Sequence, residues 1–364
     1  MNRNWKLLSG ACLLHLLLLT ACTNDERPAG PDARQGSAVA FSVSDDTVRA
    51  TTRTAQGTTD ISVLQTEGFG VFACYTGLYR YVSSTTTSNL MWNQQVTYDN
   101  TLDRWTYSPL AYWPSTESGG DDTYATFFAY APYSDGTSDA ASACIVDFSL
   151  PGETGDPWLT YQLGGTMYAD GADGWKARQV DLLYDIQRDQ QRPYLPSASR
   201  VTFLFRHALA CVGDRITVTC SDALQAYLKS LYSGSDVTFT LNTLCLAYTL
   251  TQKGRLVLNG SATPNWKAVD SGDATVTRLL VFNPDQVIAT VTSATDCTLT
   301  DYAVTDQGIF YIPLELDGHQ QSVTTTVDYT FSTGDSGQLQ TTLSLSSIRQ
   351  AGEERDLRLV LSLP

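Results

Sequence analysis

The chain predicts an all-β protein, built as β-sandwiches over two domains with one short helix. Three observations carry that expectation. From about residue 61 onward Thr, Val, Tyr and Phe dominate, types that suit a pleated, half-buried surface. Short apolar runs recur between turn clusters such as STESGGDD and DGADG, the punctuation of successive strands. The chain has 364 residues, room for two cores at about 100–200 residues per domain.

Taken in order, the first segment is not part of either core. Arg3 and Lys6 precede an apolar stretch from Leu7 to Leu19, too short to span a bilayer, which needs about 20 apolar residues. A basic start, a short apolar core and small residues make a secretory signal over residues 1–21. Leu19-Thr20-Ala21-Cys22 resembles the bacterial lipobox, in which the cysteine sulfur takes a diacylglycerol and the preceding peptide bond is cut. Cys22 is then the lipidated start of the mature chain. Thr23 in place of Asp at the next position, and Asp25 with Glu26, fit sorting to the outer membrane and its outer face. Residues 22–37 are polar and rich in Pro and Gly, a flexible tether.

The first strand is AVAFSVS at 38–44, with Val39, Phe41 and Val43 on one face. A polar, Thr-rich stretch at 45–60 follows and carries Arg49 and Arg53. Strand candidates then run through 68–75, 125–132, 179–186, 200–212, 214–220, 236–250, 277–284, 308–316, 321–333, 339–346 and 355–364. In the last of these Leu357, Leu359, Leu361 and Leu363 share one face. The helix is SDALQAYLKSLYSG, where Leu224, Tyr227, Leu228 and Leu231 fall at helical spacing behind Ser221 or Asp222 as N-cap. The break at 187–199 divides an N-terminal domain, 38–198, from a C-terminal one, 199–364.

Charge and cysteine content exclude several function classes. Net charge is −15, and it becomes more negative once Arg3 and Lys6 are removed. No basic cluster grips phosphates, so nucleic acid is excluded as a partner. Six cysteines lie beyond Cys22: Cys74, Cys144, Cys211, Cys220, Cys245 and Cys297. Their irregular spacing points to buried free thiols, with Cys211–Cys220 the pair to check for a disulfide. No CxxC occurs and only His207 and His319 remain in the mature chain, so no metal site and no cofactor are expected.

Catalytic patterns fail on inspection, and the chain reads as no enzyme. HExxH, GxSxG and the phosphate-binding loop are missing. Gly334-Asp335-Ser336-Gly337 resembles the nucleophile region of chymotrypsin-like proteases, yet Gln338 follows where a second Gly belongs. It reads as a turn between strands. DGADG at 170–174 lacks the alternating ligands and closing Glu of a calcium loop. His207, at the end of an alternating run, reads as a hydrogen-bonded structural residue.

Several segments together resemble the fimbrillin-like (Mfa-like) lipoprotein family of Bacteroidales type V pili. They are Trp105 with Tyr112-Trp113-Pro114, Phe127-Phe128-Ala129-Tyr130-Ala131-Pro132, Asp181-Leu182-Leu183, Val201-x-Phe203-x-Phe205-x-His207-Ala208-Leu209-Ala210, and Ala351-Gly352 before the final strand. That final strand begins Glu353-Glu354-Arg355 where the family more often has a Tyr-containing run. The resemblance implies two transthyretin-like sandwiches in a pilus subunit exported as a lipoprotein. It implies an Arg-specific protease that removes the first strand, and a strand from the next subunit that replaces it. Arg49 and Arg53 are the candidate cuts; solvated loop charge is the alternative. Leu357, Leu359, Leu361 and Leu363 are the candidate donor strand; a plain core strand is the alternative. The implied partners are other pilus subunits, the outer membrane through lipid on Cys22, and a host or bacterial surface receptor. Two other readings stay open: an anchor subunit that keeps its lipid, and a surface glycan-binding lipoprotein using Trp158, Trp175 and Trp266.

Overall fold

The computed structural model describes residues 38–44, 61–114, 123–136, 144–163, 180–192, 200–260, 263–269, 275–314, 316, 319–345 and 354–362. Cys22, Arg49, Arg53, Trp175 and Leu363 lie outside the described residues. The first half contains β1 (Ala40–Val43), helix α1 (Ile61–Glu67), β2 (Phe69–Gly77), β3 (Met91–Asp99), β4 (Arg104–Thr106), β5 (Tyr124–Ala131), β6 (Ile145–Phe148), β7 (Trp158–Gln162) and β8 (Leu183–Gln191). Next come β9 (Arg200–Phe203), β10 (Arg206–His207), β11 (Ala210–Cys220), helix α2 (Asp222–Ser230), β12 (Val237–Thr251), β13 (Lys253–Val257), β14 (Asn265–Lys267) and β15 (Thr275–Phe282). The chain closes with β16 (Gln286–Val291), β17 (Cys297–Leu299), β18 (Tyr302–Val304), β19 (Ile309–Tyr311), β20 (Ser322–Phe331), β21 (Ser336–Ser344) and β22 (Glu354–Leu361). The protein is all-β, as the composition predicts.

A six-stranded sheet, ordered β10-β8-β5-β2-β3-β4, separates two hydrophobic clusters. Phe69, Val71, Ala73, Phe127 and Ala129 face one cluster, and Phe72, Cys74, Phe128 and Tyr130 face the other. Burial on both faces explains why β2 and β5 read as nearly unbroken apolar runs instead of alternating ones. On one side, β1 and β9 form a parallel pair. On the other lies a four-stranded sheet, β14-β13-β7-β6. Elements before and after residue 198 pair with one another: β1 with β9, β8 with β10, and β7 with β13.

The remaining strands build two facing layers. One is β17-β16-β12-β20-β21, with β15 on the free stretch of β12. The other has β11 at its centre, with β18 and β19 on one edge and β22, parallel, on the other. The run 200–212, expected as one strand, serves three sheets as β9, β10 and the start of β11. Its break falls at Leu204, whose N–H bonds the buried Asp185 carboxylate at 2.8 Å. Gly213 sits at φ +77° beside the register shift between Val212 and Ile216. A Cβ there would lie 2.8 Å from the Tyr248 Oη, so glycine is required on two counts.

Helix α2 matches expectation: Ser221 Oγ accepts from the Leu224 N–H at 3.1 Å, and Leu224 and Leu228 are buried. Tyr227 instead stands at the rim against Phe331, ring centroids 6.0 Å apart. Helix α1 is a further two-turn element. None of the six cysteines from Cys74 to Cys297 forms a disulfide. Cys211 and Cys220 cannot bridge, because both lie on the extended β11, roughly 30 Å apart at about 3.3 Å per residue, against a Cα limit near 7 Å. Burial holds the Cys74 and Cys220 thiols up at about 12, which makes them poor nucleophiles.

Candidate functional site: the seat of the first strand

Strand β1 is four residues long and pairs, in parallel, with β9 alone among the described residues. Its alternation does what the sequence predicts: Val39 and Phe41 are buried, and Val43 is half-buried against the same cluster. Phe41 (3% exposed) is the centre of the seat. Its ring stacks on Phe203 at 5.7 Å and meets Tyr107 at 5.3 Å, Phe127 at 5.9 Å and Phe69 at 6.2 Å. Behind these, Phe69 contacts Trp105 at 4.9 Å and Phe205 at 5.5 Å. Edge and offset aromatic contacts of this kind each add about 0.5–1.5 kcal/mol beyond area burial.

The backbone of the strand is tied at both ends. The Val39 N–H donates to the Ala111 carbonyl at 2.9 Å, and the Ser44 N–H donates to the Phe203 carbonyl at 2.8 Å. The Tyr107 hydroxyl lies 2.7 Å from the Val39 carbonyl and 3.1 Å from that of Ala111, clasping the entry of β1. Burial pushes the Tyr107 phenol up to about 12, so it remains a donor throughout the neutral range.

Of the residues that carry the family resemblance, Trp105, Trp113, Phe127, Ala129, Val201, Phe203 and Phe205 meet around this seat, whereas Phe128, Tyr130, Leu182, Ala208, Leu209 and Ala210 face the other cluster. Trp113 is buried against Phe127 at 5.6 Å. Asp181 accepts from or pairs with His207 Nδ1 at 2.7 Å across the β8–β10 edge, so His207 is the hydrogen-bonded structural residue expected. Asp185, buried next to it, takes the Leu204 N–H and the Gln187 side chain at 2.7 Å, and faces Arg206 at 3.9 Å. These carboxylates fix the turn that lets Phe203 and Phe205 both enter the pocket. The sequence pointed to Val39, Phe41 and Val43; it did not identify β9 as their partner or Tyr107 as the clasp. The Tyr107 signal was its place between Trp105 and Tyr112-Trp113.

The candidate donor leucines sit elsewhere. Leu357 and Leu361 are buried and Leu359 half-buried on β22, in parallel register with Ile216, Cys220 and Val218 of β11. In this structure they serve the chain's own sandwich. Ser336 of the protease-like tetrad pairs with Thr330 where the β20–β21 hairpin closes, the turn that was expected. Of the tryptophans considered for glycan stacking, Trp266 is buried with its Nε1–H on the Ala208 carbonyl at 2.9 Å, and Trp158 carries Arg255 over its ring at 3.8 Å. Trp158 is half-buried, and the third candidate, Trp175, lies outside the described residues.

No family model matches the chain. Among solved structures, it is similar to a candidate cell adhesion protein of Bacteroides uniformis, at 12% identity, 83% of each chain and a TM-score of 0.37. It is also similar to the fimbrial anchor protein Mfa2 of Porphyromonas gingivalis, at 12% identity, 87% of this chain, 89% of that one and a TM-score of 0.32. Scores this low do not establish a common topology. A sequence relative is more informative: fimbrium subunit Fim1C of Phocaeicola vulgatus is 29% identical over 160 residues, which is 43% of this chain and 38% of that protein. The match thus spans little over a third of the relative's length. Its name is that of a fimbrium subunit and not of an enzyme, in agreement with the expectation from the motifs. Over those 160 residues the chain is similar to a Bacteroidales fimbrium subunit.

Proposed function

We propose that the chain is a structural subunit of a cell-surface fimbria, built on two transthyretin-like sandwiches. On this reading it is exported as a lipoprotein, held at the outer membrane through lipid on Cys22. Removal of the first strand by an Arg-specific protease, after Arg49 or Arg53, frees it for assembly. The observation that carries the reading is the seat of β1: a four-residue strand paired to a single neighbour, with Phe41 plugging an aromatic pocket. Such a strand is removable as a unit. Its loss leaves a lined apolar groove and an unpaired β9 edge, which are driven to accept a replacement strand. The replacement comes from the next subunit; the alternating leucines of β22, with Leu363, have the required spacing once they leave β11. Partners are therefore other subunits of the same fibre, and a receptor on host or bacterial surfaces at its exposed end.

The test is to incubate the purified precursor with an Arg-specific protease and follow mass and oligomeric state. Cleavage after Arg49 or Arg53 followed by a ladder of oligomers is expected. A chain that stays intact and monomeric overturns polymerisation and leaves the lipid-retaining anchor and the glycan-binding lipoprotein as the readings.

A further inference from the structure

The outer face of the four-stranded sheet β14-β13-β7-β6 gathers cations in an acidic molecule. Leu159, Tyr161, Leu256 and Trp266 of this sheet turn into the core, so their sequence neighbours turn outward. In register, Arg255 of β13 stands between Thr160 of β7 and Lys267 of β14, and Asp147 of β6 lies beyond Thr160. Lys253 is two residues from Arg255 on the same face. The chain carries −15 overall, yet the strands of this face present three cations against one carboxylate.

The carboxylates nearby are engaged locally. Asp147 accepts the Phe148 N–H at 2.9 Å. Glu153, on the loop before β7, takes the Leu150 N–H at 2.8 Å and the Trp158 indole N–H at 3.4 Å. Asp156 takes the Tyr81 hydroxyl at 3.0 Å. Neither Arg255 nor Lys267 forms an ion pair among the described residues. The two are directly opposite in an antiparallel pair, a position in which like charges destabilise the sheet.

A second observation falls on the same spot. The Arg255 Nε is buried and has no acceptor, and beside it the Oγ1 of Thr160, a residue only 2% exposed, has no partner either. A buried N–H on a cation costs free energy when no acceptor meets it, and groups of this kind mark places where an ion completes the bonding. The face of the Trp158 ring, 3.8 Å from the guanidinium, compensates only part of the charge. The Nη atoms of Arg255 bond nothing among the described residues and, unlike Nε, are not enclosed. They are the part of the guanidinium that an anion reaches.

We propose that this face binds an acidic sugar through one carboxylate, held between the Nη atoms of Arg255 and the ammonium of Lys267. Charge selects a single carboxylate. A polyanion or an acidic protein segment meets the repulsion of a molecule at −15, whereas one carboxylate, within a Debye length of about 8 Å, feels chiefly the two cations. The surroundings select a sugar. The outward amides of Gln162 and Asn265 make no side-chain hydrogen bond among the described residues, and Val257 between Trp158 and Asn265 offers carbon. Amides and carbon together suit the hydroxyls and C–H faces of a pyranose; a bare inorganic anion leaves them unused. The site rests on neither removal of β1 nor strand exchange, and it supplies a chemistry for a surface receptor.

The experiment titrates the full, uncut chain with methyl glucuronide and, as the neutral match, methyl glucoside, reading saturation-transfer NMR on the sugar protons. Expected is a response from the glucuronide and not from the glucoside, weakened by added salt. Lys267→Glu and Arg255→Gln should each lower the affinity about tenfold or more, the scale of one charge-assisted hydrogen bond. Equal response to both sugars overturns the proposal, as does no response to the glucuronide. Acetate that displaces the glucuronide at equal concentration overturns the sugar class, and N-acetyl-trialanine binding more tightly than the glucuronide assigns the site to a peptide terminus instead. Should Arg255→Gln fail to fold, the exposed Lys267 decides: an affinity that Lys267→Glu leaves unchanged overturns the site. Because no protease is present, a failure of cleavage at Arg49 or Arg53 leaves this result standing, and the reverse holds too.

Discussion

The first and last strands of the described chain are built alike and held differently. Both β1 and β22 pair in parallel with a neighbouring strand, β9 and β11 respectively, and both turn alternate apolar side chains inward. Strand β1 has four register pairs and depends on one aromatic plug, Phe41, with a tyrosine clasp at its entry. Strand β22 has seven register pairs and spreads its hold over Leu357, Leu359 and Leu361. A strand that hangs on one side chain is released as a unit when its tether is cut. A strand held by a long ladder leaves only when something better replaces the whole ladder. On the proposed assembly, β1 is the strand removed and β22 the strand exchanged.

The largest effect that tests this contrast is Phe41→Ala. Truncating a fully enclosed aromatic ring costs about 3–5 kcal/mol, and here it empties the pocket between Phe69, Phe127 and Phe203. Urea unfolding should show that loss, together with protease sensitivity between β1 and α1. A loss below about 1 kcal/mol would mean that β1 is held by its ladder and not by the plug. Leu361→Ala comes next, at about 2–5 kcal/mol for a buried leucine. Its effect should appear as lower global stability, without selective release of β22, because the remaining register pairs persist.

The Tyr107 clasp offers a pH handle on β1 alone. Its phenol titrates near 10 when unfolded and near 12 when folded, through burial. Between those values the unfolded chain has lost a proton that the folded chain keeps, so stability falls as pH rises from about 10 toward 12. Tyr107→Phe should cost about 0.5–1.5 kcal/mol at neutral pH through the lost hydrogen bonds, and should flatten part of that alkaline decline. An unchanged alkaline slope would show that Tyr107 is not a contributor.

Much of this was legible in the sequence, and the misses have physical causes. The alternation of Val39, Phe41 and Val43 announced a one-faced strand, and the 221–231 spacing announced α2. Strands β2 and β5 were legible as strands but not as a two-faced central layer, because a continuous apolar run does not say what covers each side. The run 200–212 looked like one strand because alternation survives a change of sheet; the bend is set by Asp185, a side chain distant in sequence. The partners of β1 were hidden for the same reason. Parallel pairing joins residues 160 apart with no turn signal between them. Cys211 and Cys220 looked like neighbours in sequence, and the extended β11 pulls them apart.

The smallest effect is also the sharpest comparison within the groove that β20, β21 and β22 line. Leu343 and Leu361 are the same residue type, line the same space and both point inward. Leu361 is 5% exposed and Leu343 is 48% exposed. Leu343→Ala should therefore cost the dilute monomer under about 0.5 kcal/mol, the range of surface changes, although its position in the register is that of a core residue. Equilibrium unfolding at high dilution measures it. A cost of about 2 kcal/mol or more at high dilution would mean that Leu343 is already buried by the chain's own residues, and the groove would be closed within one molecule.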